Sequence, residues 1–188
     1  DMIKFLLYKI SRYILKKQNL KKNIQYLRIN NNKNFLLLYD VGCAGGLQPR
    51  WQSFMKHIRT VCFEADKRAS IGLKNKGMEV IEKALWSETL QKQFYLTENI
   101  GASSFYKPNK LYLNFFKNPE RFDIKDVINI DVFKMDNFLD NKNQPSFIKL
   151  DVQGAELEIL RGGINTLKNV LGLEIEVNFK KIYEKIPL

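Results

Sequence analysis

Four acidic side chains stand where short apolar runs give way to turns: Asp40 in "FLLLYDVGCAGG", Glu64 in "CFEAD", and Asp151 with Glu156 in "FIKLDVQGAELEILRGG". Glu64 follows Asp40 by 24 residues. That is near the roughly 20-residue interval at which an acidic residue meets a ribose diol in nucleoside-binding α/β folds. One carboxylate can accept two hydroxyl hydrogens at once, so Glu64 is the candidate to hold a diol, with Asp66 the alternative if the strand register slips. Asp151 closes a predicted strand and Glu156 opens the helix after it, so both should face the crevice that Glu64 faces. An acid in a first helical turn also stabilises its helix by about 0.3 to 1 kcal/mol, which is the purely structural explanation for Glu156. Asp151 has a weaker one, because an ionised group at the mouth of a buried strand is costly unless it is hydrogen-bonded or used.

The glycines Gly42, Gly45 and Gly46 follow Asp40. At the carboxyl end of a strand, such residues let backbone approach a ligand with no Cβ in the way. The spacing Asp-x-Gly-x-x-x-Gly, using Asp40, Gly42 and Gly46, differs from Gly-x-Gly-x-x-Gly, whose third glycine serves helix packing beside a pyrophosphate. A ligand without a pyrophosphate is implied. The lone His57 falls in a predicted helix and reads as structural. No metal site is expected.

The elements that must position these residues alternate. "NFLLLYDVG" reads as a buried strand, and "QPRWQSFMKHI" as a helix with Pro49 in its first turn. Next come a strand "TVCFEAD", a helix "RASIGLKNKG" closed by Gly77, and a single third strand "MEVIEKALW". After an irregular middle follow "SFIKLDVQG" (strand), "AELEILRGGINTLKN" (one helix) and "LGLEIEVNF" (strand). This order predicts a mostly parallel central sheet covered on both faces, with ligands bound at the carboxyl ends of its strands.

The chain has 188 residues, 45% of them hydrophobic, enough for one globular core. Its net charge of +11 is concentrated: residues 1–34 carry nine Lys/Arg against Asp1, a net of +8, and the remainder a net of +3. In that first segment Ile3, Leu6, Leu7, Ile10, Tyr13 and Ile14 fall at helical spacing among lysines. A basic amphipathic helix and a polar linker are therefore expected over 1–34, with the main domain over 35–188. Three uses of the helix stay open: docking on the domain's own core, a peripheral membrane or partner contact, and a nucleic-acid contact. Cys43 and Cys62 sit in strand-like contexts and make no disulfide framework, no run approaches the roughly 18 apolar residues of a membrane span, and no signal-peptide pattern is present. A cytoplasmic protein is the expectation.

The stretches "YDVGCAGG", "FEAD", "GASSF" and "FIKLDVQGAELEILRGG" resemble the motifs of the FkbM family of S-adenosylmethionine-dependent methyltransferases, over about Leu36 to Phe179. That family typically shows an Asp-x-Gly-Ala-Asn-x-Gly loop and an Ile-Lys-x-Asp-x-Glu-Gly-x-Glu segment. Ala44 stands here where Asn is usual, and Gln153 where Glu is usual. The resemblance implies a Rossmann-like three-layer α/β/α fold and methyl transfer from S-adenosylmethionine to a hydroxyl oxygen of a sugar or other small metabolite. It places Asp40, Gly42 and Gly46 in the methionine-side loop, Glu64 on the ribose, and Ala84, Leu85 and Trp86 near the adenine. Ser103 and Ser104 line the site or form an exposed turn. An alcohol is a poor nucleophile, so a general base is worth roughly 10² to 10⁴ in rate. Asp151 is the candidate base with Glu156 orienting it or the substrate, and the two roles could be exchanged.

After "GLEIEVNF" nine residues remain, too few for the further strands that complete a methyltransferase sheet, so a C-terminally incomplete domain is expected. Two rivals stand beside this reading. A nucleic-acid methyltransferase or binding protein would use the basic helix, against a near-neutral body. An NAD-dependent oxidoreductase would share the acid after strand two but wants the third glycine.

Overall fold

The computed structural model describes residues 36–187; the segment 1–34 with its predicted helix lies outside them. In chain order the elements are β1 (Leu36–Val41), α1 (Pro49–Gln52), β2 (Ile58–Phe63), α2 (Lys67–Asn75), β3 (Glu79–Ile81), β4 (Ala84–Leu85) and β5 (Leu90–Thr97). Then come α3 (Lys110–Leu113), β6 (Ile124–Phe133), β7 (Phe147–Leu150), α4 (Glu156–Arg161), α5 (Ile164–Leu167) and β8 (Gly172–Ile175).

Five strands form the central sheet in the order β3-β2-β1-β7-β8, and the pairs β2–β3, β1–β7 and β7–β8 are parallel. The predicted mostly parallel α/β sheet is thus present. All six residues of β1 are buried, as expected of an apolar run at the centre of a parallel sheet. Helix α2 follows the expected chemistry: the Asp66 side chain caps it by accepting from the Arg68 N–H, and Gly77 takes a φ of 76° just beyond its end.

Four expectations are corrected. "MEVIEKALW" is two strands in two sheets: β3 pairs with β2, whereas β4 pairs with β6. The middle that looked irregular holds a second sheet, ordered β4-β6-β5, in which the long β5 and β6 run antiparallel. Most of their residues are exposed or half-buried, so their mixed polar composition carries a weak strand signal. The helix expected from Gln48 to Ile58 ends at Gln52, and the chain continues in tight turns such as Phe54 N–H to Trp51 O and His57 N–H to Phe54 O. None of the four residues of α1 is buried, which leaves no apolar face to extend it.

The helix expected after β7 is likewise broken, at Gly162 and Gly163. A Cβ on Gly162 would lie 2.0 Å from the Trp86 carbonyl oxygen, and one on Gly163 would lie 2.3 Å from Met135 Cε. These glycines let α4 and α5 press onto the end of β4 and the turn after β6. The main core joins residues of both sheets and α4, and includes Tyr39, Phe63, Leu85, Met135, Ile148 and Ile159.

Candidate functional site

The parallel strands bring their carboxyl ends to one edge, where a pocket opens. Its wall includes Gly42, Ala44 and Gly45 after β1, Glu64 after β2, Ala84 and Leu85 of β4, Ser103 and Phe105 from the loop after β5, and Asp151 after β7. Of the residues singled out in the sequence, Gly42, Gly45, Glu64, Ala84, Leu85, Ser103 and Asp151 meet here. Asp40, Gly46, Trp86 and Glu156 do not line it.

Glu64 is held at 6% exposure. Its Oε1 accepts from the Asp66 N–H at 2.9 Å, while its Oε2 is buried with no partner. Burial pushes its carboxyl up to about 7, with the bond from the Asp66 N–H working in the opposite direction. Asp66, the alternative, is fully committed elsewhere. It caps α2 and is ion-paired with Arg68 at 2.6 Å, and it accepts from the Ser103 hydroxyl at 3.2 Å. Ser104 is buried and donates to the Gln153 carbonyl at 2.8 Å. Of the "GASSF" serines, Ser103 therefore lines the pocket and Ser104 is an internal tie, and neither forms an exposed turn.

Gly42 is needed for a reason visible only in space. Its φ is 76°, its N–H donates to Phe63 O at 3.0 Å, and a Cβ would lie 1.9 Å from the Asp151 carbonyl oxygen. It is the point where the ends of β1, β2 and β7 touch.

Asp40 does not line the pocket. The register of β1 against β7 places Asp40 opposite Lys149, whose Nζ is 3.0 Å from Asp40 Oδ1 and 3.6 Å from Asp151 Oδ2. Both Asp40 and Lys149 are buried. Burial pushes the Asp40 carboxyl above its usual range despite the ammonium. Burial opposes the charge on Lys149, but the two aspartates outweigh it and hold the ammonium protonated.

Asp151 is half-buried, and its environment was only partly legible. Gln153 Nε2 donates to Asp151 Oδ1 at 3.1 Å and to Glu176 Oε2 at 3.0 Å, while Gln153 Oε1 accepts from the buried Tyr183 hydroxyl at 3.1 Å. The carboxylate that shares the Gln153 amide with Asp151 is thus Glu176, just past β8. Partial burial and the nearby Asp151 push Glu176 up to about 7. Glu156 turns back on its own loop, where Oε1 accepts from the N–H groups of Val152 at 2.9 Å and Gly154 at 3.3 Å. It holds the turn that carries Gln153 and does not reach the pocket. Sequence reasoning missed Glu176, although the alternation "LEIEV" at a strand end was the available signal. His57 lies outside the pocket. No group of residues suited to a metal ion is found among the described residues, and no helix among them is long and apolar enough to cross a membrane.

A mostly parallel sheet with a pocket beside its switch between β1 and β7, and an acid after the second strand, places the fold in the α/β class, in which ligands bind at the carboxyl ends of the strands. The family model described as Methyltransferase FkbM domain matches residues 12–186. The chain belongs to the FkbM methyltransferase family. Comparison with curated proteins and with solved structures gave no match.

Proposed function

We propose that the protein transfers the methyl group of S-adenosylmethionine to a hydroxyl oxygen of a sugar or other small metabolite. The observation that carries this reading is Glu64 Oε2, a buried and partnerless carboxylate oxygen on a residue of the pocket wall. Burying such an acceptor unsatisfied costs about 1–3 kcal/mol, which a ligand diol would recover. The apolar pair Ala84 and Leu85 suits an adenine face, and the glycine-lined turn at Gly42 and Gly45 suits close backbone approach. The residues present therefore fit the cofactor.

When bound, S-adenosylmethionine supplies an electrophilic sulfonium methyl. The chain's own part is to hold donor and acceptor in line and to remove a proton. Orientation of this kind is a large share of catalysis for a displacement. In this reading Asp151, on the pocket wall, takes the acceptor's hydroxyl proton at a carboxylate oxygen. Lys149 and Gln153 fix that carboxylate from two sides, and Glu156 fixes the turn that carries Gln153. The experiment is a calorimetric titration of the chain with S-adenosylmethionine, with NAD and the Glu64→Ala variant beside it. Micromolar binding that is lost in the variant supports the reading, whereas binding of NAD alone would replace it with an oxidoreductase.

A further inference from the structure

A second crevice lies beside the first, walled by Gln48, Arg50, Lys149, Asp151, Glu174 and Glu176. Asp151 belongs to both walls. The two spaces therefore meet at that residue.

Resting on the methyltransferase reading above, we infer that this second crevice receives the acceptor, and that it takes a neutral or amine-bearing saccharide and rejects one that carries a carboxylate or phosphate. The reason is which charges are already matched. Arg50 is spent on Glu174: its Nε lies 3.0 Å from each carboxylate oxygen, and its Nη2 is bonded to the same group. Trp51 Nε1 fixes Glu174 further at 2.9 Å. Lys149 is spent on Asp40 and Asp151. Both cations of the wall therefore already have carboxylate partners. Glu176 has the reverse standing. It is met by the Gln153 amide and is ion-paired with no cation among the described residues. Hydroxyl and ammonium donors find acceptors at Asp151 and Glu176, while above the Glu176 value of about 7 an anion meets like charge, which discriminates between partners. The sign of this crevice is opposite to that of the chain, whose net charge is +11.

The test uses the whole chain saturated with S-adenosylhomocysteine and three matched hexosides, methyl glucoside, methyl glucosaminide and methyl glucuronide, with binding followed by NMR titration. S-adenosylhomocysteine binding is measured separately by calorimetry. The glucoside and glucosaminide should bind at least about tenfold more tightly than the glucuronide. Glu176→Lys should reverse the order of the two charged sugars, and Glu176→Gln, the gentler change, should reduce the glucosaminide's advantage; melting curves verify that each variant is folded. Equal or tighter binding of the glucuronide by the parent chain overturns the inference. So does failure of all three sugars while S-adenosylhomocysteine binds, and that result leaves the methyltransferase reading standing. Failure of S-adenosylhomocysteine to bind folded chain removes that reading and this inference with it.

Discussion

Gln153 donates its side-chain amide to Asp151 at 3.1 Å from a backbone whose φ is 58°. A non-glycine residue in that left-handed region is uncommon, and here the strained position delivers one amide to two carboxylates. Replacing Gln153 by Glu turns the shared donor into a third carboxylate beside Asp151 and Glu176. Like charges raise one another's pKa. The folded chain should then bind protons that the unfolded chain releases, so stability should fall as pH rises through the carboxylate range. We expect a loss of about 1–3 kcal/mol at neutral pH, recovered on acidification, as read from urea melts across pH.

Glu64 gives a second pH signature. Its folded value of about 7 lies above its ordinary 4.5, so the folded state holds a proton there that the unfolded state gives up. Stability from this group is present below the ordinary value and is lost as pH rises to about 7. The loss is on the order of 3 kcal/mol, and Glu64→Gln should abolish it. A ligand diol favours the charged form. S-adenosylmethionine affinity should therefore fall about tenfold per pH unit below 7, with proton release seen as a buffer-dependent heat.

The buried pair of Asp40 and Lys149 predicts an asymmetry. Lys149→Met leaves Asp40 at 0% exposure without its cation and should cost about 3–5 kcal/mol. Combining it with Asp40→Leu removes both charges and should recover most of that loss. Chemical denaturation of the two single variants and the double variant measures the coupling.

Neighbouring glycines should behave differently. Gly42→Ala forces a Cβ to 1.9 Å from the Asp151 carbonyl at a φ of 76°, and should destabilise by at least about 2 kcal/mol. Gly45→Ala meets nothing within 4 Å and should fold like the parent. Melting temperature separates them, and equal values would show that the strand ends do not pack as described.

The parts of this architecture written in local patterns were legible. The buried run of β1, the Asp66 cap and the acid at Glu64 need only their neighbours in sequence. What was hidden depends on pairing across the chain. Nothing in "VIEKALW" says that the strand must end at Ile81 and restart at Ala84 in another sheet; that follows from the position of β6. The family resemblance implies a place for Asp40 in the methionine-side loop, yet it is a residue of β1 whose register sets it opposite Lys149 and commits its carboxylate to that buried ammonium. Glu156 was paired with Asp151 by proximity in sequence, whereas the end of β8 puts Glu176 there instead.

The site's bonds also span long stretches of chain. Lys149 reaches back 109 positions to Asp40, and Arg50 meets Glu174 across 124. Contacts so distant in sequence form late, because the loops they close must be ordered first. Refolding chain should regain helical and strand signal before it regains ligand affinity. Competence would then be the last property acquired during folding.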